Sequence, residues 1–352
     1  MPRALIVKLG AIGDVVMAIP GALALRKAGY DVDWVVGRAA AQVLQLYPWI
    51  NRIEVEERPL LSGKPGAIFA LWRRLRRHSY DVVATLYYDK RYKILTLPVR
   101  AARKVLLSQQ DRATSLLHGR HHTDEYARIL LGRTDEALPE QLAPVPAEHL
   151  PESPLPRGAK PRVVMVAAGA RNALRDDALR RWPVESYVAL AKLLLARGYE
   201  VVLAGGPDDA WASPYFATLS ITDVTAKLSL TETIALFESS DVVCTHDTGP
   251  LHLAGITQAG VVTIFGPVDP RGRLPQRHNC VALWGGEGFA CRPCYDGRSY
   301  APCSNNLCMQ QITPSMVLGE IETVLEARRT QKPFVPRVRV PRHTPVQMVE
   351  LG

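Results

Sequence analysis

Long apolar runs are missing from this chain. None approaches the roughly 20 residues that a bilayer-spanning helix needs. The N-terminus, MPRALIVKLGAIGDVV, enters a strand-like pattern at once and lacks the layout of a secretory signal, so a cytoplasmic location is expected. Cysteine is scarce: 6 residues in 352 do not make a disulfide scaffold. Acidic residues are outnumbered, with 34 Asp and Glu against 43 Lys and Arg and a net charge of +9. That balance suits an acidic partner, such as nucleic acid, an anionic membrane surface or a phosphorylated small molecule, and it also suits plain solubility. The basic residues do not interleave with a recognisable recognition helix, so no nucleic-acid partner is expected. What the chain does have is length and 47% hydrophobic content, enough for two domains that each bury a core.

The first half alternates short apolar strands with helical patterns. Leu5–Val7 reads as a buried strand, and Val16–Lys27 as an apolar helix closed by Gly29. Val32–Val36 is a strand, Ala39–Tyr47 helical, and Ile53–Val55 extended. Ala67–His78 is amphipathic, with Ile68, Leu71, Trp72 and Leu75 on one face and arginines opposite. Asp81–Leu86 is a further strand. This rhythm predicts a parallel sheet covered on both faces. Prolines then crowd the stretch 139–161 (Pro139, Pro144, Pro146, Pro151, Pro154, Pro156 and Pro161), which neither a helix nor a central strand tolerates, so it reads as a linker.

The rhythm restarts beyond it. Strands are expected at Arg162–Ala167, Val201–Ala204, Val242–Thr245 and Val261–Phe265, and helices at Ser186–Arg197, Thr231–Glu238, Leu251–Ile256 and Pro314–Arg329. The fold class is α/β: two Rossmann-like, doubly wound parallel-sheet domains facing a central cleft. The expected division is 1–150, then 160–320 with a four-cysteine segment at 291–308, then 321–352 as the end of the last helix and a basic, Pro-rich, draped or disordered tail.

Two loops carry the chemistry. In LIVKLGAIGDVV a strand ends in a glycine-bearing loop before a helix, a place that usually receives a phosphate, yet the loop holds Asp14. A carboxylate at a strand's carboxyl end faces the ligand crevice of an α/β sheet. There it can take the proton of an attacking hydroxyl, or it can simply cap the helix beginning near Val15. In the second half, VVCTHDTGPLHLAGITQAGVVTIFGPVDP runs from a strand into Asp247, Thr248, Gly249 and Pro250 and on into a helix. A diphosphate fits that helix start; a plain turn with Asp247 as the cap fits the residues equally well.

DTGPLHLAG followed by TIFGPVDP resembles the signature of the family 9 glycosyltransferases, the bacterial heptosyltransferases. LIVKLGAIGDVVMAIP is similar to the same family's N-terminal signature, and ARNALRDDALRRWPVESYVALAKLL to its segment with a basic residue before a Trp-Pro pair. The resemblance runs from about residue 3 to about residue 320, with motif order and spacing kept. It implies a GT-B fold, the acceptor on the first domain and the nucleotide-sugar donor on the second. It implies an inverting transfer of a heptose, with ADP-heptose the favoured donor and Asp14 the general base. Donor binding is implied for Ala168, Gly169 and Ala170, where small residues replace the hydroxyl residues of many relatives. It is implied as well for Arg180 and Arg181 (arginine standing where the family tends to have lysine), and for Glu232, Asp247, Thr248, Gly249 and His252. Glu232 resembles the family's ribose ligand, and a solvated helix-face charge describes it equally well. No Asp-x-Asp pair is apparent near these loops, so no catalytic metal is expected; cationic side chains and a helix dipole replace one.

On the acceptor side the resemblance implies Gly13 and the loop after Asp81–Leu86, where Asp89, Lys90 and Arg91 stand, meeting an anionic glycan such as lipopolysaccharide inner core, or a protein acceptor. Peripheral contact with the inner membrane follows from the same basic surface, although Arg73, Arg74, Arg76 and Arg77 read as a solvated helix face. Cys291, Cys294, Cys303 and Cys308 form a C-x2-C-x8-C-x4-C pattern suited to a structural zinc or iron, or else four free thiols. Members of the family that modify autotransporters carry an iron-holding cysteine finger. The alternatives are a GT-B enzyme with another nucleotide-sugar donor and a non-enzymatic basic nucleic-acid binder.

Overall fold

The computed structural model describes residues 1–89, 91–108, 110–117, 119–133, 144–169, 178–295 and 299–341. Two wholly parallel sheets dominate it. The first holds β1 (Arg3–Val7), β2 (Asp31–Gly37), β3 (Ile50–Val55), β4 (Tyr80–Thr85) and β5 (Ala101–Leu106) in the order β3-β2-β1-β4-β5. The second holds β6 (Arg162–Met165), β7 (Glu200–Leu203), β8 (Thr222–Asp223), β9 (Val242–His246), β10 (Gly260–Phe265), β11 (Cys280–Trp284) and β12 (Arg337–Arg339). Their order is β12-β11-β10-β9-β6-β7-β8. Central strands such as β9 and β10 are buried at every residue, which is why they read as unbroken apolar runs rather than alternating ones. The start of the stretch expected to be a draped tail instead supplies β12 on the edge of the second sheet.

In the first domain the helices are α1 (Ile12–Lys27), α2 (Arg38–Leu44), α3 (Glu57–Leu61), α4 (Pro65–Leu75), α5 (Tyr92–Leu95) and α6 (His122–Leu131). The second domain adds α7 (Val184–Ala196), α8 (Leu230–Glu238), α9 (Gly249–Gly255), α10 (Leu307–Gln310) and α11 (Pro314–Arg329). None of the described helices is long and apolar enough to cross a membrane. Helix α1 is apolar nearly all round because α6 covers it on one side and α9 meets it from the other domain. Gly21 is what lets α1 and α6 approach: a Cβ there would stand 2.8 Å from the Ala127 Cα.

In each sheet the strand order reverses once, between β1 and β4 in the first and between β6 and β9 in the second. Crevices open at such reversals, beyond the carboxyl ends of the strands. The loops after β1 and β4 therefore face one crevice, and those after β6 and β9 the other. The two are drawn together by contacts between the domains. A Cβ on Gly13 would lie 2.4 Å from the His252 Cδ2, so the start of α1 touches α9 with no room for a side chain. The His121 ring bonds to the Leu274 carbonyl at 3.0 Å, and the Leu230 N–H donates to the Gln42 Oε1 at 3.2 Å. The described part of the Pro-rich stretch is stapled to both sides: the Val145 N–H donates to the Ile256 carbonyl at 2.9 Å, and the His149 Nδ1 meets the Leu46 carbonyl at 3.0 Å.

Candidate active site

Asp14 sits in the first turn of α1, but it does not cap it. Ala11 is the N-cap and no side chain caps the helix, so the capping reading of Asp14 falls. Its carboxylate instead accepts a hydrogen bond from the Lys8 Nζ at 2.8 Å. Lys8 ends the apolar run of β1 and is only 1% exposed, with its ammonium 4.6 Å from the centre of the Tyr87 ring. Asp14 keeps 26% of its side chain open to the cleft. Burial alone would raise its pKa; the charge and hydrogen bond of Lys8, with Arg273 and His122 further off, outweigh that and hold the carboxyl well below the ordinary range. Tyr126, on α6, is raised well above the usual tyrosine value by burial and by the Asp14 charge, to which its hydroxyl hydrogen-bonds. Glu57, at the start of α3, is raised by burial against the opposing pull of Lys8.

The facing wall belongs to the second domain. Helix α9 starts at Gly249 with Thr248 as N-cap, so Asp247 is not the cap either. The start of α9 faces the start of α1, where a Cβ on Gly249 would lie 3.8 Å from the Ile12 Cβ. Across the reversal, Gly169 takes φ +93°, and a Cβ there would come within 2.9 Å of the Thr248 Oγ1. The Gly169 N–H donates to the Asp209 Oδ1 at 2.8 Å, and its carbonyl accepts from the Arg181 Nε at 2.7 Å. Ala168 is buried just ahead of it; Ala170 lies outside the described residues. Arg180 pairs with the Asp247 Oδ2 at 3.4 Å. His252 is buried and pushed down to about 4, first by desolvation and then by the Arg273 charge, so the imidazole facing Asp14 is neutral. Beneath this wall, the buried His246 is lowered to about 3 by desolvation and meets the Tyr187 hydroxyl through Nδ1 at 3.0 Å.

The structure thus brings together Gly13, Asp14, Ala168, Gly169, Arg180, Arg181, Asp247, Thr248, Gly249 and His252 around one cleft. Glu232 lies at the N-terminus of α8, next to the contact with Gln42, and has a local duty. Its Oε2 accepts from the Ser229 N–H at 2.8 Å while the Ser229 side chain accepts from the Glu232 N–H. Lys90 lies outside the described residues. Arg91 is half exposed and already engaged, with Nε on the Asp89 Oδ2 at 2.8 Å and a second donor on the Leu61 carbonyl at 3.0 Å. Lys8, Tyr126 and Arg273 escape a reading of the sequence. The one available signal was a lysine closing an otherwise apolar strand six residues before Asp14; the other two come from distant segments.

Cys291, Cys294, Cys303 and Cys308 border one pocket of about 290 Å³ and remain free thiols. Cys308 is pushed up to about 11, chiefly by burial, with the other three adding to it. Among the described residues no group of three or more His, Cys, Asp or Glu is placed to hold a metal ion.

The two sheets, their switch points and the cleft between them are the architecture of the GT-B class. The model of "Glycosyltransferase family 9 (heptosyltransferase)" matches residues 68–303, and the chain belongs to that family; it is a glycosyltransferase. It is 25% identical to the lipopolysaccharide heptosyltransferase 1 of Pseudomonas aeruginosa, over 93% of this chain and 99% of the relative. Its fold is similar to that of the Escherichia coli heptosyltransferase WaaC, solved with ADP-2-deoxy-2-fluoro heptose. The TM-score is 0.67 at 20% identity, covering 91% of this chain and 99% of that one. It is similar as well to the iron-containing dodecameric glycosyltransferase TibC of enterotoxigenic E. coli, with a TM-score of 0.59 at 15% identity, over 94% and 77% of the two chains.

Proposed function

We propose that the protein transfers a heptose from ADP-heptose to a hydroxyl of a lipopolysaccharide-core type glycan, with inversion at the anomeric carbon. The observation that carries this reading is the meeting of Gly13 with His252, which sets the Asp14 carboxylate opposite the start of α9. The acceptor oxygen attacks the anomeric carbon, the bond from that carbon to the diphosphate breaks, and the hydroxyl proton passes to Asp14. A hydroxyl becomes acidic only as its new bond forms. A carboxylate kept anionic by Lys8 is ready for that late proton at any working pH. On the opposite wall, the Arg180 and Arg181 guanidinium groups and the first N–H groups of α9 receive the growing charge of the leaving diphosphate. No step needs a metal ion. The names of the relatives support the donor and the acceptor class; a protein hydroxyl is the second acceptor to test.

Glu232 is proposed to meet the donor's ribose from the start of α8. The loop that holds Asp89, Lys90 and Arg91 is proposed to meet the anionic acceptor. A cytoplasmic enzyme touching the inner membrane is proposed from the basic residues Lys90, Arg91 and Lys93 that follow β4. For the cysteines, four thiols around one pocket favour zinc or iron by donor chemistry, while their placement does not form a ligand shell. Elemental analysis decides: one zinc or iron per chain would establish the site, and four titratable thiols without metal would remove it. The activity is tested with purified protein, an inner-core acceptor and a panel of nucleotide sugars. Nucleoside diphosphate release with ADP-heptose alone is expected. Turnover with a UDP- or GDP-sugar instead would transfer the reading to another donor.

A further inference from the structure

The cysteine-bearing segment has a second connection that its thiols do not explain. Its backbone is tied to the end of β10, where the Cys294 and Tyr295 N–H groups both donate to the Pro267 carbonyl, at 3.0 and 3.1 Å. The segment then folds back on itself: Tyr295 and Tyr300 form an antiparallel bridge, the Ala301 N–H donates to the Cys294 carbonyl at 3.0 Å, and the two tyrosine rings lie 4.9 Å apart. Both rings face Arg180. The Arg180 Nε donates to the Tyr300 hydroxyl at 2.6 Å, and the guanidinium carbon is 5.0 Å from the centre of the Tyr295 ring and 5.9 Å from that of Tyr300. Further along, the Asn306 Nδ2 donates to the Arg181 carbonyl at 3.2 Å.

We infer that Tyr295 and Tyr300 are positioning residues for the donor diphosphate, holding the Arg180 guanidinium in place from the cysteine-bearing segment; this rests on the proposal that Arg180 binds that diphosphate. The physical case is conformational. A free arginine side chain samples many rotamers, and each must be given up when it grips a ligand. Here the Nε edge is fixed by the Tyr300 hydroxyl and the guanidinium rests beside the two adjacent tyrosine rings, while the NH1 atom lies toward Asp247, next to the Thr248–Gly249 turn. The planar fork therefore stands ready before the ligand arrives. Tyr295 and Tyr300 touch no reacting atom and act only through Arg180.

Calorimetry of nucleoside diphosphate binding tests this with Tyr300→Phe, Arg180→Ala and the double variant, using whichever of ADP, UDP, GDP and dTDP binds the wild-type protein. Phenylalanine keeps the ring, so the fold is retained; Tyr295→Leu serves as a second variant removing the adjacent ring. Tyr300→Phe should weaken binding by about 3- to 10-fold, the cost of immobilising an Arg180 side chain that is no longer held beforehand. It should raise the donor KM more than it lowers kcat, and it should add nothing on top of Arg180→Ala. Unchanged affinity in both tyrosine variants, with binding weakened in Arg180→Ala, overturns the positioning role alone. Additive losses in the double variant overturn it as well, since Tyr300 would then act apart from Arg180. Unchanged affinity in Arg180→Ala, or binding of none of the nucleotides, removes the underlying donor reading and the inference with it.

Discussion

A lysine pointed into a carboxylate inside a cleft sets the character of this site. Lys8 is almost fully buried, and a buried ammonium is tolerated only when paired. Its partner is Asp14, and the pairing works on both: the ammonium is neutralised and the carboxyl is kept ionised. Removing the charge in Lys8→Met leaves burial, the largest influence on Asp14, opposed by the more distant Arg273 and His122 and by the Tyr126 hydroxyl. The Asp14 pKa should then rise, and the acid limb of the kcat/KM profile should move upward by about 2 pH units or more. An unchanged limb would show that Lys8 does not govern Asp14. Gly13 gives a second residue-scale prediction. Its Cβ has no place against His252, so Gly13→Ala should force the two walls apart and lower kcat/KM by about 10-fold or more while the melting temperature changes little. Of these residues, Asp14 stood out in the sequence because a carboxylate occupies a loop that usually receives a phosphate, although a helix cap described it as well. Lys8 did not, because a single charge at the end of an apolar run carries no periodic signal and its partner is found only in three dimensions.

At the scale of elements, the alternation of strands and helices was legible around β1 to β4, β6, β7, β9 and β10, because a parallel sheet buried on both faces demands continuous apolar runs between helical ones, whereas β5, β8, β11 and α6 were not among the expected elements. Boundaries moved by a turn: α1 starts four residues earlier than expected, at Ile12, and that shift turns Asp14 from a candidate cap into a first-turn residue facing the cleft. Strand β12 was missed because three residues among prolines look like a tail until the edge of β11 offers them a ladder. Helix α8 poses a question of roles. Its capping box joins Ser229 and Glu232, and the same Glu232 is proposed to touch a ribose. Ser229→Ala should destabilise the protein by about 1 kcal/mol in urea melts and leave nucleotide affinity unchanged. Glu232→Ala should do both: destabilise by a similar amount and weaken nucleotide binding. Nucleotide affinity unaffected by Glu232→Ala would leave that residue as a cap only.

For the whole molecule, the buried histidines make folding sensitive to acid. His121 and His252 are pushed down to about 4 and His246 to about 3, in each case first by desolvation. An unfolded histidine takes up its proton near pH 6.5, so between there and about pH 4 the unfolded chain binds more protons than the native one. Stability therefore falls as pH drops through that window, by on the order of 1–2 kcal/mol per histidine at pH 5. Asp14 works in the opposite sense: its contribution, present above its unfolded value near 4, persists through the whole window and fails only in stronger acid. Denaturant midpoints at pH 7 and pH 5 should show the loss, and equal midpoints would contradict it. The two-domain plan was legible from the proline-rich stretch and the restarted rhythm. The closeness of the two walls was not, because contacts such as Gly13 with His252 join segments more than two hundred residues apart.

Asp14 is the group proposed to receive the acceptor's proton. Asp14→Asn keeps the shape of the side chain and removes its basicity, so single-turnover transfer from bound donor is the measurement that isolates it. The rate should fall by about 100-fold or more with nucleotide affinity close to that of the wild-type protein, while the melting temperature falls because the buried Lys8 ammonium loses its anionic partner. A variant that transfers sugar at the wild-type rate would contradict the assignment.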